Sequence, residues 1–275
     1  MTTTLAFSPC PNDTFLFHAL VHGLVPDTPP LGVELCDVET LNERAGRAEL
    51  DLTKISYGAI PWLLEDYVLL RSGSAMGRGC GPLVVAREPC RLDDVRGPIA
   101  IPGERTTAFL LLRLRAPQLG SFRAMRFDRI PRAVAAGEVA AGLIIHESRF
   151  TYAQLGLSAL ADLGEWWESW TGLPIPLGGI LARRALGATM VAWWQKAVRS
   201  SVEWALLHPD ATRAYVKQHS QELTDDVIDA HIKLYVNEFT KDVGDDGIAA
   251  VRALLDRAAR AGLAPPCGKE LFAPP

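Results

Sequence analysis

The sequence predicts an α/β protein of two lobes, a small βα unit inserted in a larger one, with a cleft between them. Three observations carry this reading. Short apolar runs of strand length alternate with helical stretches from Leu5 to Ala182. The alternation breaks near 87–97, at Pro89, Asp93, Asp94 and Gly97, and a fresh βα series opens at Ile99. From Tyr152 onward the pattern changes again, and the strand candidate Ile175–Ala182 leads back to the first unit before a helical remainder. The expected lobes are 1–92 together with 172–275, and 93–171.

In chain order, Leu5–Phe7 is a short strand ended by Ser8-Pro9-Cys10-Pro11, where two prolines impose an extended loop. Asn12 or Asp13 is expected to cap a helix from Thr14 to His22, stopped by Gly23. Val33–Val38 alternates as a second strand, Thr40 caps a helix to about Ala48, and Leu50–Ile55 is a third strand. Tyr57 to Leu64 reads as helical, with Pro61 tolerable only near its first turn. Tyr67–Leu70 and Pro82–Ala86 are further strands, the latter approached through Gly73, Gly77, Gly79 and Gly81. The inserted unit has a strand at Ile99–Ile101, a helix from Thr106 or Thr107 to Arg115, a strand at Phe122–Phe127, a helix to about Gly137, and a strand ending at His146. Helices are expected at 188–208, 209–219, 225–237 and 246–261, with Pro209 in a first turn.

Bulk properties exclude several classes. The 48% hydrophobic content supports a sizeable core, and the net charge of −4 gives no electrostatic case for nucleic acid or an anionic membrane. Met1–Pro9 has no basic segment and only three apolar residues in a row, so no secretory signal is expected. No run approaches the length of a membrane span. The five cysteines, Cys10, Cys36, Cys80, Cys90 and Cys267, are widely and irregularly spaced without a C-x-x-C pair; this suits reduced thiols and a cytoplasmic location.

The chemistry gathers at three strand ends. Leu143-Ile144-Ile145 is a continuous apolar run that reads as a buried parallel strand, and it puts His146 at its carboxyl end, where open α/β sheets bind ligands. Lys54-Ile55-Ser56 and Gly103 to Ala108 end the other two. Helix N-termini there would offer free N–H groups and partial positive charge to a carboxylate or oxyanion. Capping is the commoner use of Ser56, Thr106 and Thr107, though capping and ligand binding can coexist. His18 and His22 share a helix face but lack an intervening acid or third ligand, so packing is favoured and no metal is expected. Cys10 reads as a buried thiol. Trp166, Trp167 and Trp170 could cover a bound ring, with aromatic packing the default. No phosphate-cradling loop or nucleophile elbow is present.

Ser8-Pro9-Cys10-Pro11-Asn12-Asp13-Thr14-Phe15 resembles the start of the 1,4-dihydroxy-6-naphthoate synthases of the futalosine route to menaquinone. The likeness continues through Asp37–Asn42, Leu52–Tyr57, Gly77–Val85, Gly142–Tyr152, Gly172–Pro174 and Asp242–Gly244, nearly the whole chain. The resemblance implies a two-lobed fold like type II periplasmic binding proteins, used as a cytoplasmic enzyme. It implies conversion of cyclic dehypoxanthinyl futalosine to 1,4-dihydroxy-6-naphthoate with release of dihydroxyacetone, without metal or organic cofactor. The family's proposed base matches His146, and its substrate-contacting segments match Lys54, Ile55, Ser56, Thr107 and Ala108. An unperturbed imidazole titrates at about 6.5, so His146 is expected to be a competent base near neutrality.

The alternatives are a non-catalytic solute-binding protein of the same fold, which calls for an export signal, and the chorismate-processing dehydratase of the same pathway. The effector-sensing half of a transcription regulator is a third, but 1–30 holds only one helix candidate. The sequence leaves the oligomeric state open.

Overall fold

The computed structural model describes residues 2–220 and 224–274. Its strands are β1 (Thr3–Phe7), β2 (Leu31–Leu35), β3 (Leu52–Ser56), β4 (Tyr67–Leu69), β5 (Ala75–Gly77), β6 (Leu83–Ala86), β7 (Ile99–Ile101), β8 (Phe122–Ala124), β9 (Ala141–Ile144), β10 (Ser158–Asp162) and β11 (Ile175–Arg183). The helices are α1 (Pro11–Val21), α2 (Val38–Gly46), α3 (Thr107–Arg115), α4 (Ile130–Ala135), α5 (Ser148–Thr151), α6 (Leu163–Thr171), α7 (Ala188–Leu207), α8 (Pro209–His219), α9 (Asp225–Tyr235), α10 (Glu238–Lys241) and α11 (Gly244–Arg260).

The strands form two sheets. The first has the order β2-β1-β3-β11-β4, with β5 also on β11. Here β1 runs parallel to β2 and β3, and the nine-residue β11 runs antiparallel to β3, β4 and β5. The second sheet has the order β10-β6-β9-β7-β8. β9 is parallel to β7 but antiparallel to β6, so the expected parallel strand sits in a mixed sheet. Both faces of that sheet are covered, which is why all of β9 is buried without alternation.

The pairing of β6 with β9 and β10 also sets where the chain passes between sheets. It leaves the first sheet between Gly77 and Leu83, ahead of the 92/93 boundary expected from the break at Pro89–Gly97. It returns between Asp162 and Ile175, through α6. The two connections meet: a Cβ on Gly164 would lie 2.7 Å from the Gly81 nitrogen. Arg149 holds the same place, donating to Gly81 O at 2.5 Å and pairing with Asp162 at 2.7 Å.

Several local expectations are corrected. α1 starts at Pro11, whose missing N–H costs nothing in a first turn, and Cys10 is its N-cap residue. Cys10 O accepts from the backbone N of Asp13 (3.1 Å) and of Thr14 (3.0 Å), so Asn12 and Asp13 lie inside the helix and their side chains are free for other work. Asp37, not Thr40, caps α2, with Oδ1 accepting from Glu39 N at 2.9 Å. Tyr57–Trp62 is a 3₁₀ helix, a form whose i→i+3 bonds suit a short stretch containing Pro61. β5 and α10 were not expected.

Apolar packing joins the layers. Phe7 of β1 and Phe17 of α1 lie 4.6 Å apart between ring centroids, and Trp194 of α7 is fully buried in the same cluster. α1 and α7 are also tied by the buried Ser201, whose hydroxyl donates to Leu16 O at 2.6 Å and accepts from Leu20 N at 3.2 Å. Among the described residues no helix is long and apolar enough to cross a membrane.

Candidate active site

A cavity of about 80 Å³ lies where the carboxyl ends of β3 and β9 and the start of α3 converge, between the two sheets. Lys54, Ile55, Ser56, Thr107, Ala108 and His146 all line it, together with Ser8, Asn12, Asp13 and Tyr235.

His146 stands two residues past the end of β9 with φ +56°, a left-handed backbone that β-carbon-bearing residues seldom adopt. That conformation turns the chain sharply between β9 and α5. Such outliers gather at functional sites, where the surroundings hold them in place. The residue keeps some exposed surface, yet its Nε2 is buried and meets no hydrogen-bond partner among the described residues. Phe127 packs edge-on against the ring at 4.9 Å.

Burial pushes the His146 pKa down to about 4; Asp13 pulls it back up and Lys54 adds to the depression. This corrects the expectation of an unperturbed imidazole near 6.5. At neutral pH the ring is wholly in its proton-accepting form, though a weaker base than a solvated histidine. Next to it, burial raises Glu147 to about 7, and Cys10 Sγ lies 4.0 Å from its Oε2. Cys10 is buried beside this acid and its thiol is pushed well above the usual range, as a structural thiol should be.

Opposite His146 is a buried ion pair, Lys54 Nζ to Asp13 Oδ1 at 2.9 Å, with the side chains 6% and 2% exposed. Both partners are further satisfied. Lys54 donates to Gly73 O at 3.1 Å, while Asp13 accepts from Ser8 Oγ at 2.7 Å and Asn12 Nδ2 at 2.8 Å. Because the Asn12 amide nitrogen faces a carboxylate, its Oδ1 is left for His231 Nε2, 2.9 Å away. His231 therefore carries its proton on Nε2. It is fully buried, pushed far below the ordinary imidazole range by burial and by His146, whose ring lies 6.5 Å away in a stacked arrangement.

The remaining predicted residues come from both sides of the cleft. Thr106 caps α3, with Oγ1 accepting from Phe109 N at 3.2 Å. Thr107 Oγ1 accepts from Gly58 N at 2.9 Å and donates to Leu177 O at 2.6 Å. Its hydroxyl therefore ties the two sheets together. The backbone N–H groups of Thr107 and Ala108 have no acceptor among the described residues and remain available for an anion at the start of the helix.

A family model for menaquinone biosynthesis matches residues 3–260. The chain belongs to this menaquinone biosynthesis family. Two curated relatives span its length. One from Streptomyces coelicolor is 52% identical and covers all of this chain and 99% of its own; one from Thermus thermophilus is 54% identical and covers 98% of each. Both are named 1,4-dihydroxy-6-naphtoate synthase. A crystal structure of a protein from Archaeoglobus fulgidus superposes with a TM-score of 0.91 at 37% identity, over 95% of this chain and 98% of that one. The alkanesulfonate-binding protein of Xanthomonas axonopodis pv. citri shares the fold, with a TM-score of 0.73 at 16% identity over 99% and 96% of the two chains. This menaquinone biosynthesis enzyme is thus built on the two-lobed periplasmic-binding-protein fold.

Other candidates fall away from the cavity. His18 and His22 stack on each other at 4.1 Å, and His18 also stacks on Trp204 at 5.4 Å, a packing role. No group of three or more His, Cys, Asp or Glu side chains among the described residues could hold a metal ion. Exhaustive chelation is expected to leave activity unchanged; a loss restored by one divalent ion would overturn this. Trp166, Trp167 and Trp170 do not line the cavity. Trp167 is buried with Nε1 donating to Pro174 O at 3.0 Å, and Arg257 lies 4.5 Å over Trp170.

The depressed His146 pKa makes a stability prediction for this family member. Between about 4 and 6.5 the unfolded chain holds a proton at His146 that the folded chain refuses, so this residue lowers stability as pH falls through that window and does nothing above it. Glu147, raised to about 7, has the opposite slope above its usual value. The His146 contribution is isolated by comparison with His146→Asn. Urea unfolding is expected to show the variant gaining stability relative to the unaltered chain from pH 7 to pH 5. A pH-independent difference would contradict the buried neutral imidazole.

Proposed function

We propose that this chain is a 1,4-dihydroxy-6-naphthoate synthase, a carbon–carbon lyase acting on cyclic dehypoxanthinyl futalosine and releasing dihydroxyacetone. The observation that carries the reading is the unpartnered, buried Nε2 of His146 at a cavity whose other walls hold anion-binding groups. The full-length relatives of that name support it.

Cleavage with aromatisation requires a proton to be removed while negative charge develops on oxygen. Neutral His146 accepts the proton, and the resulting imidazolium gains from the Asp13 carboxylate. The free amides of Thr107 and Ala108 hold a carboxylate or developing enolate at the α3 N-terminus, with the Ser56 hydroxyl across from them. Thr107 ties the two sheets together beside the cavity, and keeping water from such a site strengthens these interactions. Aromatisation supplies the driving force, and on this reading neither metal nor organic cofactor takes part. Five unpaired cysteines favour a cytoplasmic location. Incubating the purified protein with the cyclic futalosine intermediate should give naphthoate absorbance. Tight binding without turnover would favour a solute-binding role instead.

A further inference from the structure

Ser56 is gripped from behind by a side chain that does not line the cavity. Asn42 of α2 is buried; its Oδ1 accepts from Ser56 N at 2.9 Å, and its Nδ2 donates to Glu39 Oε2 at 2.9 Å and to Ser56 Oγ at 3.3 Å. Glu39 Oε1 in turn accepts from Arg105 N at 2.9 Å, on the other side of the cleft. The contact is close: a Cβ on Gly103 would lie 2.5 Å from Glu39 Cγ, and the Arg105 guanidinium sits 3.9 Å over the Trp62 ring.

Every link has one possible direction. Backbone N–H groups only donate and an ionised carboxylate only accepts, so the amide between them fits one way round. At the Ser56 end the amide donor occupies a hydroxyl lone pair, which leaves the hydroxyl proton to point into the cavity. The relay thus joins the two elements that face a ligand from opposite sheets, Ser56 and the loop entering α3.

We propose that Asn42 is a positioning residue of this site. With Glu39 it forms a directional hydrogen-bond relay that fixes Ser56 against the α3 entry and sets its hydroxyl as a donor to the ligand. The proposal deepens the synthase reading and rests on it for the identity of the substrate.

Two variants separate this from a merely structural tie. Asn42→Asp keeps an acceptor for Ser56 N and nearly the same shape. Its new carboxylate faces Glu39 with no donor between them and accepts the Ser56 hydroxyl proton. Adding Glu39→Gln returns a donor to the Glu39–Asn42 link, but the Ser56 hydroxyl stays turned away from the cavity. Amide hydrogen exchange over residues 103–107 is read without substrate at mildly alkaline pH, and naphthoate formation gives KM and kcat.

Asn42→Asp is expected to speed exchange at the Arg105 amide and raise KM about tenfold, with kcat within about threefold. The double variant should regain protection while its KM stays raised, matching Ser56→Ala. Normal exchange or a normal KM in Asn42→Asp overturns the proposal. So does a KM that recovers together with protection in the double variant, the outcome a structural tie would give. If the unaltered protein forms no naphthoate, the synthase reading fails instead, and the exchange result alone decides the relay.

Discussion

Replacing His146 with asparagine lowers turnover about 10²–10⁴-fold, the range for losing a general base, while the chain still folds. The folding half of this expectation comes from the backbone and the activity half from the side chain. Asparagine adopts a left-handed backbone such as the φ of +56° here, so the turn between β9 and α5 survives. Asparagine keeps polarity at the cavity but cannot take a proton. His146→Ala should be about as inactive. Turnover and KM need to be measured together, with circular dichroism to show folding. Near-normal turnover in folded His146→Asn would remove the base role, and a large rise in KM at unchanged turnover would reassign the residue to binding.

Asp13→Ala should destabilise the fold by about 3–5 kcal/mol, because it strands Lys54 as a buried, uncompensated charge. With the pair almost fully enclosed, solvent cannot replace the lost carboxylate, and Gly73 O is the acceptor left to the ammonium. The same change releases the Ser8 hydroxyl and the Asn12 amide, and through Asn12 it loosens His231. Adding Lys54→Met removes the stranded charge and should recover much of the stability, though not activity. Urea unfolding of the unaltered protein and the two variants tests this. A loss under about 1 kcal/mol in Asp13→Ala would place the pair in the class of weakly coupled surface bridges.

The strand ends were legible because each closes a run of strand length, Ile99–Ile101 and Leu143–Ile145 continuously apolar and Leu50–Ile55 with apolar residues at alternate positions at first. Lys54 to Ser56, Thr107 and His146 could therefore be placed at element ends before any pairing was known. Pairing itself was not legible. β6 reads as the same apolar strand in either sheet, and only its contacts with β9 and β10 assign it to the second. β5 was missed because three residues among glycines carry no periodicity. Asp13 passed for a helix cap, since the sequence does not show that Pro11 opens the helix two residues earlier. His231 lies 219 residues from Asn12 and looks like any helix residue, so no local signal could join them. Asn42 stood within a motif that carried the family resemblance, but the reason for its place is a relay of four residues from three segments, Glu39 and Asn42 on α2, Ser56 at the end of β3 and Arg105 ahead of α3.

The touching glycines at 81 and 164 decide how the two halves can turn. Two separate straps would let one sheet twist, slide and tilt against the other. Here the outgoing and returning connections meet backbone to backbone, with Arg149 clamped over the spot. Any turning of one sheet against the other must therefore pass through this single place of backbone contact. The cavity wall begins at its edge, with Cys80 and Pro82, and the Glu39–Arg105 and Thr107–Gly58 hydrogen bonds tie the two sheets elsewhere across the cleft. A methyl group added at either glycine would wedge both connections apart at once, beside Cys80 and Pro82 of the cavity wall.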